Sequence, residues 1–163
     1  MFKTLFAYYD TNMSKELKGK FEADFKITDK ILLLSVIIFS ISVAFITSFQ
    51  YGYFMLGITG GLVISIVCIL AYKTMSGSTM CRVIMATALT GLLAITVQQS
   101  NGLGEGHFLF FVGFTLLIRY RDIIPLLVFV GTVVIHHILF TYCQSIGLEL
   151  WGQPINMFSW GEQ

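Results

Sequence analysis

The polar residues with chemical potential stand inside long apolar runs of the sequence. His136 and His137 are adjacent in the run VVIHHILF, Glu105 and His107 belong to the stretch NGLGEGHF, and Gln99 ends a further apolar run. Imidazole is the commonest biological metal ligand, and a carboxylate can complete a metal shell. These residue types predict a polar layer that binds a ligand or a metal, with all five residues as its candidate members.

Three kinds of chemistry are open to this layer. Imidazole and carboxylate groups suit Zn, Cu or Fe, and haem needs as little as one axial histidine. Adjacent residues on a helix diverge by about 100°, so His136 and His137 cannot easily ligate one ion together. The third interpretation is a polar belt without a metal, which binds a small molecule or only cross-links helices. We expect His136 to face the bundle, with His137 as a supporting or interhelical partner.

Five apolar segments have to position these residues. They cover residues 31–49, 53–72, about 83–99, about 103–118 and about 123–146. The chain is 56% hydrophobic and 12% charged, whereas soluble domains are about 45–50% apolar and about 25% charged. A helix of about 20 residues crosses the hydrocarbon of a bilayer. The sequence therefore predicts an all-α integral membrane bundle of about five transmembrane helices.

The basic residues predict how this bundle is oriented. Six lysines precede the first segment, and the other Lys and Arg residues lie between segments two and three or between segments four and five. The positive-inside rule makes that side cytoplasmic, which places the N-terminus inside and the C-terminus outside. We expect a cytoplasmic basic leader over residues 1–30, the bundle over 31–147 and a periplasmic interfacial tail over 148–163. The leader is either an amphipathic helix on the inner membrane face or a charged stretch that only fixes topology.

Helix geometry predicts that the polar residues share one depth. At 1.5 Å per residue, His136 lies about 21 Å, His107 about 18 Å and Gln99 about 26 Å above the cytoplasmic ends of their helices. Polar groups at such a depth normally face the bundle interior and find one another. The sequence has no GxSxG, phosphate-loop or HExxH motif and no basic footprint for nucleic acid. Its three cysteines have no metal spacing, so we interpret them as small buried residues.

Four motifs resemble a known family over nearly the whole chain. The motifs are VQQSNGLGEGHFLFF, LLIRYRDIIPLL, VVIHHILFTYCQ and WGQPINMF, and the family is the N-terminal membrane sensor region of a group of bacterial methyl-accepting chemotaxis proteins. That group commonly has E-x-H-F-H in its fourth segment; here Glu105, His107 and Phe108 match it, and Leu109 replaces the second histidine. The group continues into a sixth membrane helix with another histidine and into a cytoplasmic signalling rod, which this sequence lacks.

The resemblance implies a sensory function without enzymatic activity. The chain would be a multi-pass protein of the bacterial inner membrane that detects a ligand, a metal or a redox condition near the periplasmic side. Its partners would be the lipid bilayer, a small ligand or metal, and further copies of itself in a homo-oligomer. The residues leave two alternatives open: a membrane redox protein that binds a transition metal or haem, and a structural membrane subunit without a cofactor.

Overall fold

The computed structural model describes residues 7–9, 13–150 and 152–158. A short 3-10 turn, Ala7–Tyr9, precedes five helices, and two very short strands follow them. The helices are α1 (Lys15–Tyr51), α2 (Phe54–Met75), α3 (Thr79–Gln99), α4 (Gly104–Ile118) and α5 (Ile123–Ser145). The strands β1 (Glu149–Leu150) and β2 (Gln153–Pro154) pair antiparallel. The predicted all-α architecture is confirmed for the described residues, apart from this small hairpin.

Four of the helices, α1, α2, α3 and α5, are long and apolar enough to cross a membrane. Helix α4 is also apolar but has 15 residues, which gives it a length of about 22 Å at 1.5 Å per residue. The hydrocarbon core of a bilayer is about 30 Å thick. The structure therefore confirms the membrane character of the chain through four helices, and the fifth crossing stays a prediction.

Helix α1 begins inside the predicted leader and passes residue 30 without a break. The Ser14 hydroxyl caps its first turn by accepting a hydrogen bond from the Leu17 N–H at 3.3 Å. Phe25, Asp29 and Leu32 lie on one stripe of the helix and are fully buried, because their spacing matches the helical repeat. Residues 15–30 are therefore the first turns of a long helix that packs into the bundle. The position of these residues relative to the membrane face stays a prediction; residues 1–6 and 10–12 lie outside the described part.

The basic residues gather at one end of the bundle, which we call the basic end. The Asp29 carboxylate accepts a hydrogen bond from the Gly77 N–H at 2.6 Å, and Arg119 pairs with Asp24 at 3.1 Å. The first turns of α1 therefore lie beside the α2–α3 turn and the α4–α5 turn. These three regions contain every Lys and Arg that the structure describes. At the opposite end, the Tyr53 hydroxyl donates to Asn101 Oδ1 at 2.7 Å, so consecutive helices run in opposite directions.

A π-helical turn over Ser42–Ile46 interrupts the regular hydrogen bonding of α1. The turn leaves the Val43 carbonyl available, and Gln99 of α3 donates to it through Nε2 at 2.8 Å. Ser48 donates to the same carbonyl at 2.7 Å and accepts from Gln99 at 2.9 Å. Gly57 of α2 packs directly against this group of atoms. Helices α1, α2 and α3 are therefore joined tightly at the end opposite the basic residues.

We predict that Gly57→Ala lowers the free energy of unfolding by at least about 1 kcal/mol. A Cβ atom on Gly57 would lie 2.1 Å from the Val43 carbonyl oxygen and 2.5 Å from Ser48 Oγ, so backbone would have to move. Gly131→Ala in α5 is the matched control, because a Cβ there meets nothing within 4 Å, and alanine favours the helix by up to about 1 kcal/mol. Titration with denaturing detergent measures both variants, and equal effects would contradict the packing at Gly57.

Candidate functional site

Helices α4 and α5 bring the three histidines together away from the basic end. His107 lies in the first turn of α4, and its ring centroid is 5.7 Å from that of His137 near the end of α5. The His136 and His137 centroids are 5.5 Å apart, with nearly perpendicular rings. We call these three residues the histidine cluster. The heights calculated from the rise per residue predicted that these helices would bring polar residues together at this level.

The two adjacent histidines have different surroundings. His136 is 7% exposed, and its ring centroid lies 4.3 Å from that of Phe140 on the same helix. His137 is half-buried and is the residue whose ring approaches His107 across the helix boundary. We expected His136 to share the centre with His107. The structure differs because the rotation of α5 directs His136 into the packed interior and the following residue, about 100° around the helix, towards α4.

Hydrogen bonds to backbone carbonyls define the tautomers of two histidines. His107 Nδ1 lies 3.2 Å from the Leu103 carbonyl oxygen, and His137 Nδ1 lies 2.8 Å from the Val133 carbonyl oxygen. A carbonyl oxygen only accepts, so each Nδ1 carries the hydrogen, and in the neutral ring Nε2 then has a free lone pair. Among the described residues, His107 Nε2 is buried without a hydrogen-bond partner. The cluster therefore presents nitrogen atoms that accept hydrogen bonds or ligate metals.

The third histidine has a similarly buried nitrogen. His136 Nε2 has no hydrogen-bond partner in the described part of the chain. Leaving a buried polar group unpaired costs about 1–3 kcal/mol. His136 Nε2 is thus a buried polar atom beside two further imidazoles that a ligand could satisfy.

The segment after α5 covers the histidine cluster. We call residues 148–158 the tail. Its Phe158 ring is stacked on His107, with centroids 5.4 Å apart and planes 5° from parallel. Gly102 allows this approach, because a Cβ there would lie 2.8 Å from the Phe158 nitrogen, and its φ of +74° also favours glycine. Residues 151 and 159–163 of the predicted interfacial segment lie outside the described part.

Two glutamines fasten the tail to the bundle. Gln98 of α3 donates to the Pro154 carbonyl at 2.8 Å and accepts from the Asn156 N–H at 3.1 Å. Gln144 of α5 donates to the Phe158 carbonyl at 2.8 Å and accepts from the Met157 N–H at 2.9 Å. Each side-chain amide thus uses both its donor and its acceptor on tail backbone. Gln144 is not among the predicted site residues, although it is a third glutamine at the outer end of a predicted span.

An apolar cleft of about 490 Å³ opens between α4 and α5, beside the histidine cluster. His107 and His137 form its polar part, and three valines of α5 form part of its wall. The rest of its wall consists of aromatic rings, which belong to Phe110, Phe111, Phe114 and Phe129. Pockets of about 300–1,000 Å³ with mostly apolar walls and a few polar groups are typical of small-molecule sites.

Two of the residues predicted for the polar layer lie apart from the cluster. The Gln99 amide is directed at α1, where it also accepts a hydrogen bond from the Thr47 hydroxyl. Glu105 is exposed at the start of α4, and its carboxylate accepts no hydrogen bond from any described residue. No group of three or more His, Cys, Asp or Glu residues in the described part is arranged to hold a metal ion. The structure therefore places two imidazole rings at the cleft rather than a complete metal shell.

A second polar cluster, at the basic end, is built around a buried ion pair. Arg82 Nε donates to Asp122 Oδ2 at 2.8 Å, and both side chains are fully buried. The other guanidinium nitrogens donate to the Gly77 carbonyl at 3.1 Å and to Thr79 Oγ1 at 3.0 Å. The guanidinium also lies over the Phe25 ring, 3.8 Å from its centroid. This ion pair ties α1, α3 and the turn before α5 together.

A buried aspartate adjoins this ion pair. Asp29 accepts hydrogen bonds from the Tyr120 hydroxyl at 2.7 Å, the Gly77 N–H at 2.6 Å and the Ser76 hydroxyl at 3.1 Å. Burial raises the pKa of Tyr120 well above its ordinary range, and the Asp29 carboxylate raises it further, so the phenol remains a donor. Tyr120 and Asp122 point inwards on either side of Arg121, which is exposed and has a φ of +52°.

Comparison with known proteins identifies no relative of this chain. No protein-family model matches it, and neither does any curated protein or solved structure. The resemblance to chemoreceptor sensor regions therefore stays a prediction from four motifs. The function of the chain is inferred below from the histidine cluster, the cleft and the two ends of the bundle.

Proposed function

We propose that the chain is the membrane-embedded sensory module of a chemoreceptor-like signalling protein, and that the histidine cluster receives the stimulus. The observation that carries the proposal is the meeting of His107, His136 and His137 beside an open apolar cleft. Ionisable side chains within membrane helices are costly, and they are functional-site candidates by default. Reception of a ligand needs only the binding groups that are present, so the proposal assigns no catalytic activity.

Two helices extend from the region of the histidine cluster and its covering tail to the basic end, where a signal would leave the module. Helix α5 begins after Asp122 of the buried ion pair and carries His137 and Gln144 near its other end. Helix α3 begins with Arg82 of the same pair and ends with Gln98, which holds the tail. A shift of α5 by an occupant of the cleft would therefore act on a packed ion pair at the far end. Coupling of this kind is carried by rigid elements with packed ends.

A metal- or haem-binding redox protein is the second candidate, and the histidine tautomers favour it. In metal sites a ligating histidine generally donates its other ring N–H to a carbonyl or carboxylate. His107 and His137 have this arrangement, with Nδ1 bound to the Leu103 and Val133 carbonyls. Further ligands from an exogenous molecule or a second copy of the chain would have to complete the coordination.

The experiment compares parent protein with His137→Leu after extraction from membranes in mild detergent. We expect native mass spectrometry to find a bound mass on the parent that the variant lacks. Amides at residues 76–79 and 119–122 should exchange hydrogen at a different rate in the two proteins. If the two proteins carry the same bound masses and exchange hydrogen at the same rates, the cluster only links helices. That result would contradict the proposed sensing. A Soret band or a stoichiometric transition metal in the parent would establish the second candidate.

The proposed orientation places the basic end in the cytoplasm and all five helices across the membrane. In a background without the three native cysteines, Glu105→Cys should react with a membrane-impermeant maleimide in intact spheroplasts. Lys73→Cys should react only after permeabilisation, because positive residues are retained inside; both positions are exposed. Labelling of residue 73 in intact spheroplasts, or equal access to both positions, would contradict the orientation.

A further inference from the structure

We propose that the cleft between α4 and α5 binds a lipid-soluble quinol and discriminates against the corresponding quinone. This inference rests on the proposed sensory function and names the ligand class for the same site. The stimulus would then be the reduced form of a membrane quinone. The shape of the cleft, the placement of its polar atoms and its opening each support this ligand.

The shape of the cleft fits a flat ring. Its volume of about 490 Å³ lies within the range of sites for small organic ligands. Phe110 and Phe114 of α4 face Phe129 of α5, with ring centroids 6.3 and 6.2 Å from that of Phe129. Aromatic rings at such separations prefer offset or edge-to-face packing with a further ring. A planar ligand ring therefore gains more from these walls than a linear acyl chain does.

The polar atoms of the cleft select for a hydrogen-bond donor. His107 and His137 use Nδ1–H for the Leu103 and Val133 carbonyls, so Nε2 of each ring is left as the acceptor, and that of His107 is buried without a hydrogen-bond partner among the described residues. A quinol hydroxyl donates a hydrogen bond to such a nitrogen, whereas a quinone carbonyl only accepts and would face a second acceptor. Burying polar groups without a partner is costly. We therefore expect the quinol to bind at least about tenfold more tightly, which corresponds to about 1.4 kcal/mol.

The opening of the cleft indicates that the ligand arrives through the lipid. Its rim is formed by side chains on the outer surface of apolar helices: Phe111 is 71% exposed, Val134 50% and Val130 48%. At the end of the bundle away from the basic end, the tail packs Phe158 on His107 and thus covers the cluster. A ligand with a polar ring and an isoprenoid tail can place the ring at the histidines while the tail remains in the bilayer.

The test is an anaerobic binding titration of the detergent-solubilised chain, with protein-free micelles as the baseline. The probes are a short-chain ubiquinol, its oxidised ubiquinone and tail-less hydroquinone. We expect saturable binding of one ubiquinol per chain, about tenfold or greater weakening for ubiquinone, and a loss of at least about tenfold in His107→Leu and His137→Leu. Hydroquinone without an isoprenoid tail distinguishes a lipid-soluble quinol from a soluble phenol as the ligand. If it binds as tightly as ubiquinol, the site accepts soluble phenols, and the proposal of a lipid-soluble ligand is overturned.

A filled cleft provides the control for folding. Val130→Trp places an indole in the cleft and leaves all three histidines unchanged, and it should abolish ubiquinol binding. Leu127→Trp is its match, because Leu127 is 62% exposed on the same helix and does not line the cleft; this variant should bind as the parent does. Equal or tighter ubiquinone binding, unaltered binding by Val130→Trp, or no saturable binding by the parent would each overturn the proposal. If the extracted parent still carries another mass that His137→Leu lacks, the sensory function survives and only the quinol assignment fails.

Discussion

Arg82→Leu is expected to lower the free energy of unfolding by about 3–5 kcal/mol, because it leaves a buried charge without its partner. Arg82 and Asp122 are both fully buried and 2.8 Å apart. Removal of the guanidinium leaves the Asp122 carboxylate without a cation and leaves the Gly77 carbonyl without its donor at 3.1 Å. Arg82→Lys should recover only part of the loss, because an ammonium group cannot reproduce the three-way fork of a guanidinium.

Arg119→Leu is the matched control for this prediction. Its bidentate pair with Asp24 also links α1 to the α4–α5 turn, but the two side chains are 41% and 31% exposed. Exposed ion pairs contribute up to about 1 kcal/mol. Unfolding by denaturing detergent, followed by circular dichroism, measures all three variants. Equal losses in Arg82→Leu and Arg119→Leu would show that burial gives the Arg82–Asp122 pair no special weight.

His136→Leu is expected to raise the free energy of unfolding of the ligand-free protein by about 1–3 kcal/mol. His136 Nε2 is buried without a hydrogen-bond partner among the described residues, and leucine removes that polar atom while it still fills the space beside Phe140. The same variant should lose the mass that the parent carries after extraction. Gain of stability together with loss of binding is the expected signature of a group that is kept for function.

His137→Leu separates function from packing in this comparison. His137 is half-buried, and its Nδ1–H already bonds to the Val133 carbonyl. Its replacement should therefore change the free energy of unfolding by less than the replacement of His136 does. The same detergent titration gives both values. A destabilised His136→Leu would mean that the imidazole has a structural partner, and would remove the support that its buried nitrogen gives to a binding site.

Much of the helical architecture was predictable because apolar runs and capping residues delimit it. The predicted segment 53–72 corresponds to α2, and the segment of about 123–146 corresponds to α5. Asp122 ends the preceding turn and caps α5 by accepting from the Ile124 N–H at 3.0 Å. A helix before residue 31 was one of two predicted alternatives, but its continuity with the first span was not predicted, because lysines lie between the buried residues of the inner stripe that begins at Phe25.

The depth of the histidines along their helices was predictable, but the rotation of those helices about their axes was not. Rise per residue placed His107 and His136 at one level, yet the rotation of α5 depends on its packing against α3 and α4, which one sequence does not reveal. The position of Gln99 depends on the π-helical turn of α1, for which the apolar run SVAFI gives no signal. Arg82 and Asp122 are 40 positions apart in the sequence. Arg121 directly precedes Asp122 and was an equally plausible partner for its carboxylate.

Nitrogen-15 NMR of the histidine rings tests the central claim most directly, because the chain contains only three histidines. With ¹⁵N-histidine label in detergent micelles, single His→Leu variants assign each ring. The account predicts hydrogen on Nδ1 and a lone pair on Nε2 in His107 and His137, and a shift of both Nε2 signals when the ligand-bearing extract is compared with delipidated protein. Hydrogen on Nε2 of both rings, with spectra that remain the same in the two samples, would contradict a receiving site at the histidine cluster.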